Sequence, residues 1–143
     1  MIEEKLFYLI FLIPAALLDY KTMKVPIWLS GVVPFITWLL YEFSFHRFYL
    51  HKMNWILFGI VFGLSIVILI VSKMGGADCI VMTMMCLYGG FLGLYGILFG
   101  FIGSMPYLLL RKNQDKAYPF VPFLATGYIL SCIIFIFTDG AYL

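Results

Sequence analysis

Two aspartates lie at the edges of long apolar runs, where an ionised carboxyl group has a high free-energy cost. Asp19 closes the first apolar run of the chain, and Asp78 opens a stretch that carries no further charge as far as Leu110. The other two aspartates, Asp115 and Asp139, lie in polar or terminal sequence, where solvation accounts for them. An ionisable group at membrane depth is a functional-site hypothesis by default.

Two carboxyl groups held close together have a defined chemistry. They share one proton, because both cannot be charged at that distance. The ionised member takes a proton from a water, the water attacks a peptide carbonyl, and the protonated member hydrogen-bonds the carbonyl oxygen. This is general acid–base hydrolysis with neither a metal nor a covalent intermediate.

Two other interpretations of the same aspartates stay open at this point. In the first interpretation, each aspartate is a membrane-edge charge paired with a lysine such as Lys21, Lys24 or Lys73. Alternatively, the pair forms the proton relay of a proton-coupled transporter or channel subunit. A relay usually spreads ionisable groups through the membrane depth, whereas both aspartates are predicted at one face.

The composition predicts the elements that must position the pair. Of 143 residues, 64% are hydrophobic and 11% charged, and the mean hydropathy is +1.07, whereas soluble domains average about 25% charged residues. We therefore expect an all-α, polytopic membrane protein with a single transmembrane domain over residues 1–143. A net charge of +2 gives no reason to expect nucleic acid. Three cysteines without a Cys-x-x-Cys pair indicate neither zinc nor disulfides.

Apolar runs and polar breaks predict about six spans, since a span needs roughly 20 residues. The uncharged stretch before Leu110 is too long for one span, and Gly89-Gly90 is its predicted break. Glycines four apart predict close helix packing: Gly59 and Gly63, Gly89 and Gly93, Gly96 and Gly100. The first three predicted spans are 5–24, 27–45 and 53–72, and the sixth is 120–138. The fourth starts near Ala77 and the fifth ends near Leu110, with the break between them at Gly89-Gly90.

This topology predicts that the two aspartates lie at the same membrane face. Two whole spans separate them, so the chain crosses the membrane twice and returns. Small residues beside each aspartate, Ala15 and Ala16 on one helix and Gly75 and Gly76 before the other, favour contact between spans one and four. Six Lys and Arg residues lie on that side and three on the other, which predicts a cytoplasmic site.

Three segments together resemble the type IV prepilin peptidases. The segment 19–28, DYKTMKVPIW, resembles the first-aspartate motif, in which an apolar-Pro pair (here ending at Pro26) starts the next helix. Gly75-Gly76-Ala77-Asp78 resembles the Gly-x-Gly-Asp motif, and 118–127, YPFVPFLATG, with Pro119 and Pro122, resembles the segment that opens the last span. Ala77 and Ile80 depart from the family pattern, in which glycine and lysine are usual.

The resemblance implies a six-helix aspartic endopeptidase with Asp19 and Asp78 as the catalytic residues. It would remove the short leader from prepilin or preflagellin precursors at the cytoplasmic face of the cell membrane, without a cofactor. The small size is similar to that of the archaeal preflagellin peptidases. The precursor proteins and membrane lipids are the expected partners.

The helix dipole suggests how the two carboxyl groups divide the work. Asp78 is predicted in the first turn of its helix, where the positive dipole end favours a carboxylate. Asp19 is predicted near the negative end of its own helix. We therefore expect Asp78 to be the ionised base and Asp19 the protonated partner.

Overall fold

The computed structural model describes residues 2–22, 24–45, 52–71, 76–110 and 120–138, and every regular element in these ranges is helical. The predicted all-α class is confirmed. Four of the helices begin and end within a residue or two of predicted spans, and each of the first two predicted spans is divided between two helical segments. The helices are α1 (Ile2–Phe7), α2 (Leu9–Thr22), α3 (Val33–Phe45), α4 (Lys52–Val71), α5 (Gly76–Gly89), α6 (Phe91–Leu110) and α7 (Val121–Phe137).

A π-helical turn, Trp28–Val32, precedes α3 and is continuous with it. The backbone N–H of Val33 donates to the carbonyl of Trp28, five residues earlier. The next residue, Pro34, has no N–H to donate to the carbonyl of Ser30, so a regular α-helical ladder cannot pass through this point. A widened turn is one way in which a helix accommodates such a break.

The predicted break at Gly89-Gly90 is confirmed, since α5 ends at Gly89 and α6 begins at Phe91. Gly90 has φ +60°, in the left-handed region that favours glycine. A side chain at Gly90 would also collide with Asn54 of α4. The side-chain amide of Asn54 donates to the carbonyl of Leu87 at 3.0 Å, which satisfies a carbonyl in the last turn of α5.

Helices α6 and α7 pack together through glycines. A Cβ on Gly127 of α7 would collide with the backbone of Gly96 and Gly100 of α6. The pair Gly96 and Gly100 therefore has the predicted packing role, which lets two backbones approach closely. In contrast, a Cβ on Gly59 or Gly63 of α4 would meet nothing within 4 Å.

Helix α5 lies at the centre of the bundle and packs against α1, α3, α4, α6, α7 and the π turn. From Val81 to Gly89 every residue is buried. Near its C-terminal end, Tyr8 stacks on Tyr88 with ring centroids 4.9 Å apart and meets Tyr128 edge-on at 5.6 Å. The helix that carries Asp78 is therefore held on all sides.

Two helical segments are long and apolar enough to cross a membrane by length and composition: Trp28–Phe45 and Lys52–Val71. Shorter apolar helices cover Gly76–Gly89, Phe91–Tyr107 and Val121–Phe137. In α4 only Leu57, Val61 and Ser65 are buried. Most of the apolar surface of α4 therefore faces outward.

Candidate active site

Asp19 lies in the last turn of α2 and is buried, with 7% of its surface exposed. Its Oδ2 accepts a hydrogen bond of 3.0 Å from the backbone N–H of Val121. The backbone of Phe120 also hydrogen-bonds this carboxyl group. The carboxyl group of Asp19 therefore sits at the N-terminus of α7.

The N-terminus of α7 is available to Asp19 because its first N–H groups have no partner within the helix. Val121 is the first residue of α7 and Pro122 the second. Proline is tolerated there because its missing N–H would be unpaired in any case, and its fixed φ suits the helix. Pro122 thus helps to begin the helix whose first amide reaches Asp19.

The helix of Asp19 packs chiefly against α7 and the π turn. Ala15 and Ala16 are buried, as expected of small residues on the packing face. Earlier in the chain, α1 contacts α5 directly, and the hydroxyl of Tyr8, between α1 and α2, donates to the carbonyl of Val81 at 3.4 Å. The expectation that the small residues serve a direct contact of spans one and four is therefore only partly right.

Asp78 lies in the first turn of α5, as expected, and is half-buried. Its carboxyl group is close enough to Asp19 for the charge of one to act on the other. The two aspartates therefore interact electrostatically, although they belong to different helices. Two like charges in this relationship disfavour a state in which both carboxyl groups are ionised.

The π turn and the start of α5 meet beside this pair. A Cβ on Gly31 would lie 2.7 Å from Cγ2 of Ile80, so these two residues already touch. Ile80 stands where the prepilin peptidases usually have lysine, and here it is a packing residue. The carbonyl of Pro26 accepts from the N–H groups of Leu29 and Ser30, which places Pro26 at the start of the helical segment that contains the π turn and α3, as predicted.

Of the remaining motif positions, the structure describes Gly76 but not Gly75 or Pro119. Gly76 begins α5, and a Cβ there would meet no atom of the described residues within 4 Å. The structure therefore gives no packing reason for glycine at this position. Gly75 and Pro119 lie outside the described residues, so their predicted supporting roles stay predictions. The same holds for Lys73, a predicted salt-bridge partner.

The interpretation of Asp19 as a membrane-edge charge paired with a lysine does not agree with its surroundings. Lys21 and Lys24 are exposed, whereas Asp19 is buried and turned towards α7. A surface ion pair of this kind would contribute about 0–1 kcal/mol. In the structure, this carboxyl group accepts hydrogen bonds from backbone amides.

The hydrogen bond from Val121 favours the opposite division of labour from the one expected. A hydrogen bond to a charged group contributes about 1.5–3 kcal/mol, whereas a helix dipole contributes about 0.3–1 kcal/mol at the surface. Asp19 receives the hydrogen bond and also faces the positive end of the α7 dipole. This contact favours Asp19 as the ionised member and Asp78 as the protonated one. No sequence signal points to this contact, since the amide belongs to a residue 102 positions away.

In the part of the chain that the structure describes, no three His, Cys, Asp or Glu side chains are grouped as metal ligands. Comparisons with known protein families, with curated proteins and with solved structures find no match for this chain. The resemblance to the prepilin peptidases therefore rests on the three sequence segments and stays a prediction.

Proposed function

We propose that this chain is a multi-pass membrane aspartic endopeptidase of the prepilin peptidase type. It spans the membrane about six times and removes the short leader from a prepilin-like or preflagellin precursor at the cytoplasmic face. Asp19 and Asp78 are its catalytic residues. The single observation that carries the proposal is the electrostatic interaction of these two carboxyl groups, which come from separate helices.

The membrane part of the proposal is supported by the exposed apolar surface of the bundle. Large hydrophobic side chains such as Ile70, Val71 and Leu110 are about four-fifths exposed, at 79%, 82% and 83%. Monomeric soluble proteins rarely expose contiguous apolar patches larger than a few hundred Å². Lipid is the environment in which such a surface is stable. Membrane lipids are then the second partner of the chain, beside the precursor.

The mechanism follows from the one-proton state of the pair. A water between the carboxyl groups loses a proton to the ionised Asp19 as its oxygen attacks the scissile carbonyl carbon. Asp78 donates its hydrogen bond to the carbonyl oxygen, where negative charge develops. The proton on Asp19 then passes to the leaving amine as the C–N bond breaks. The amide of Val121 keeps the Asp19 carboxyl oriented throughout.

The test is cleavage by the purified protein in detergent, with a full-length prepilin-like or preflagellin precursor as the substrate. The expected result is one new N-terminus directly after the basic leader, read by mass spectrometry. The Asp78→Asn variant, purified in parallel, controls for contaminating proteases. If correctly folded protein cleaves neither the prepilin-like nor the preflagellin precursor, the proposal is contradicted.

A further inference from the structure

The π turn is a shared neighbour of the two helices that carry the aspartates. Helix α2, with Asp19 in its last turn, packs against the π turn, and so does α5, with Asp78 in its first turn. A displacement of α5 on the π turn is therefore also a displacement of Asp78 relative to Asp19. Single turns of π-helix frequently occur at functional sites.

Gly31 is a point at which the π turn and α5 touch. It is buried within the turn, and a Cβ on it would lie 2.7 Å from Cγ2 of Ile80. Non-bonded carbon atoms pack at about 3.5–4.0 Å, so alanine at position 31 would require a separation of roughly 1 Å. Ile80 does not readily turn away, because Cγ2 is attached directly to Cβ and isoleucine in a helix keeps one χ1 rotamer in about 90% of cases.

The start of α5 is anchored on two further sides. The thiol of Cys79 donates a weak hydrogen bond of 3.7 Å to the carbonyl of Ser65 in α4. The carbonyl of Val81 accepts from the hydroxyl of Tyr8 at 3.4 Å. The three residues that follow Asp78 thus contact three different parts of the bundle. An added carbon at position 31 would push against a helix that is already held.

The π turn is itself held at both ends. The hydroxyl of Ser30 donates to the carbonyl of Pro26 at 3.3 Å. The N–H of Val33 donates to the carbonyl of Trp28 and closes the turn. The turn is therefore a defined structure between the two helices rather than a loose connection, and its contact with α5 fixes a distance.

We propose that Gly31 is a positioning residue for the aspartate pair. Because it has no side chain, α5 approaches the π turn closely, and Asp78 reaches its working position relative to Asp19. The inference rests on the proposed peptidase function, in which both carboxyl groups must meet one water and one peptide bond. A misplacement of reacting groups by about 1 Å can lower a rate about 10²-fold.

The kinetic test is Gly31→Ala, assayed below the unfolding temperature of each variant. It is expected to lower kcat for leader cleavage roughly 10–100-fold and to change KM by less than about twofold, because the carboxyl groups are misplaced while precursor binding is kept. Gly59→Ala is the control, since a Cβ there meets no atom of the described residues within 4 Å, and its kcat should be unchanged. An unchanged kcat in folded Gly31→Ala, or a loss confined to KM, would overturn the proposal.

The variant Ile80→Ala removes the methyl group that the new carbon would meet, and it provides a rescue. The loss of kcat caused by Gly31→Ala should be at least roughly fivefold smaller when residue 80 is already alanine. An equal loss in both backgrounds would contradict the proposed contact. If Gly31→Ala alone does not fold, a folded and active double variant still supports the proposal. A double variant that also fails to fold contradicts it.

Cross-linking measures the geometry without peptide cleavage. In protein free of the native cysteines, Asp19→Cys and Asp78→Cys are combined and treated with bifunctional thiol reagents of short and long span. With glycine at position 31 both reagents should link the pair, whereas in Gly31→Ala the short link should be lost and the long one retained. Equal yields of the short link with glycine and alanine would overturn the proposal. If the short link is lost as expected but the unmodified protein cleaves no precursor, the peptidase function fails while the positioning of the pair by Gly31 stands.

Discussion

The backbone N–H of Val121 donates a hydrogen bond to the carboxyl group of Asp19, 3.0 Å away and 102 residues earlier in the chain. Through this bond the first turn of α7 orients one member of the aspartate pair. The last helix of the bundle is therefore part of the site, although no side chain of its first turn is predicted to react.

Replacing either aspartate by asparagine should abolish leader cleavage. Asparagine keeps the shape of the side chain but can neither take nor hold the catalytic proton. We expect Asp19→Asn and Asp78→Asn each to reduce the cleavage rate by at least about 10²–10⁴-fold, measured by mass spectrometry of the precursor. Asp115→Asn is the control and should cleave normally. Full activity in either site variant would exclude the assigned chemistry.

The shared proton should reside mainly on Asp78. The hydrogen bond from Val121 stabilises a negative charge on Asp19, and a charge-assisted hydrogen bond is about twice as strong as a neutral one. Site-specific isotope labelling of each aspartate in turn, with infrared difference spectroscopy, identifies the source of the carboxylic-acid band in the one-proton state. A band that shifts mainly on labelling Asp19 would restore the assignment expected from the sequence.

The packing of α6 on α7 should be sensitive to one methyl group at Gly127. In Gly127→Ala the new Cβ collides with backbone atoms of Gly96 and Gly100, which cannot move aside as a side chain can. Overpacking of this kind costs about 1–3 kcal/mol, so thermal unfolding in detergent should occur at a lower temperature. Since α7 holds Asp19, the cleavage rate should fall as well.

Gly63→Ala is the matched control for this variant, because a Cβ at Gly63 meets nothing within 4 Å. Alanine is favoured over glycine in a helix by up to about 1 kcal/mol. The control should therefore unfold at the same temperature or a higher one. Equal destabilisation by the two substitutions would contradict the glycine packing between α6 and α7.

The topology predicts opposite labelling at the two ends of the spans. In a variant free of Cys79, Cys86 and Cys132, a single cysteine at Lys21 should be protected from a membrane-impermeant thiol reagent in intact cells. A single cysteine at Lys52 should react. Both lysines are exposed on the protein, so protection at position 21 reports the membrane rather than burial. The reverse pattern would place the aspartates at the outer face and remove the newly made precursors from their reach.

The sequence by itself determined the helical class, most helix limits and the residues worth testing. Long apolar runs and the pair Gly89-Gly90 are local signals, because helix formation and chain reversal depend on neighbouring residues and on the φ that only glycine adopts readily. The position of Asp78 in a first turn followed from the same local pattern.

Tertiary structure decided what surrounds the two carboxyl groups. Which helix covers Asp19 depends on how whole helices pack, and the close approach of α6 and α7 brings the amide of Val121 into position. Every residue carries a backbone N–H, so the sequence contains no mark that singles out the one that binds Asp19. A helix dipole can be assigned from sequence only to a residue in that same helix. This is why the hydrogen bond from Val121, which favours the opposite protonation of the pair, could not be expected from the sequence.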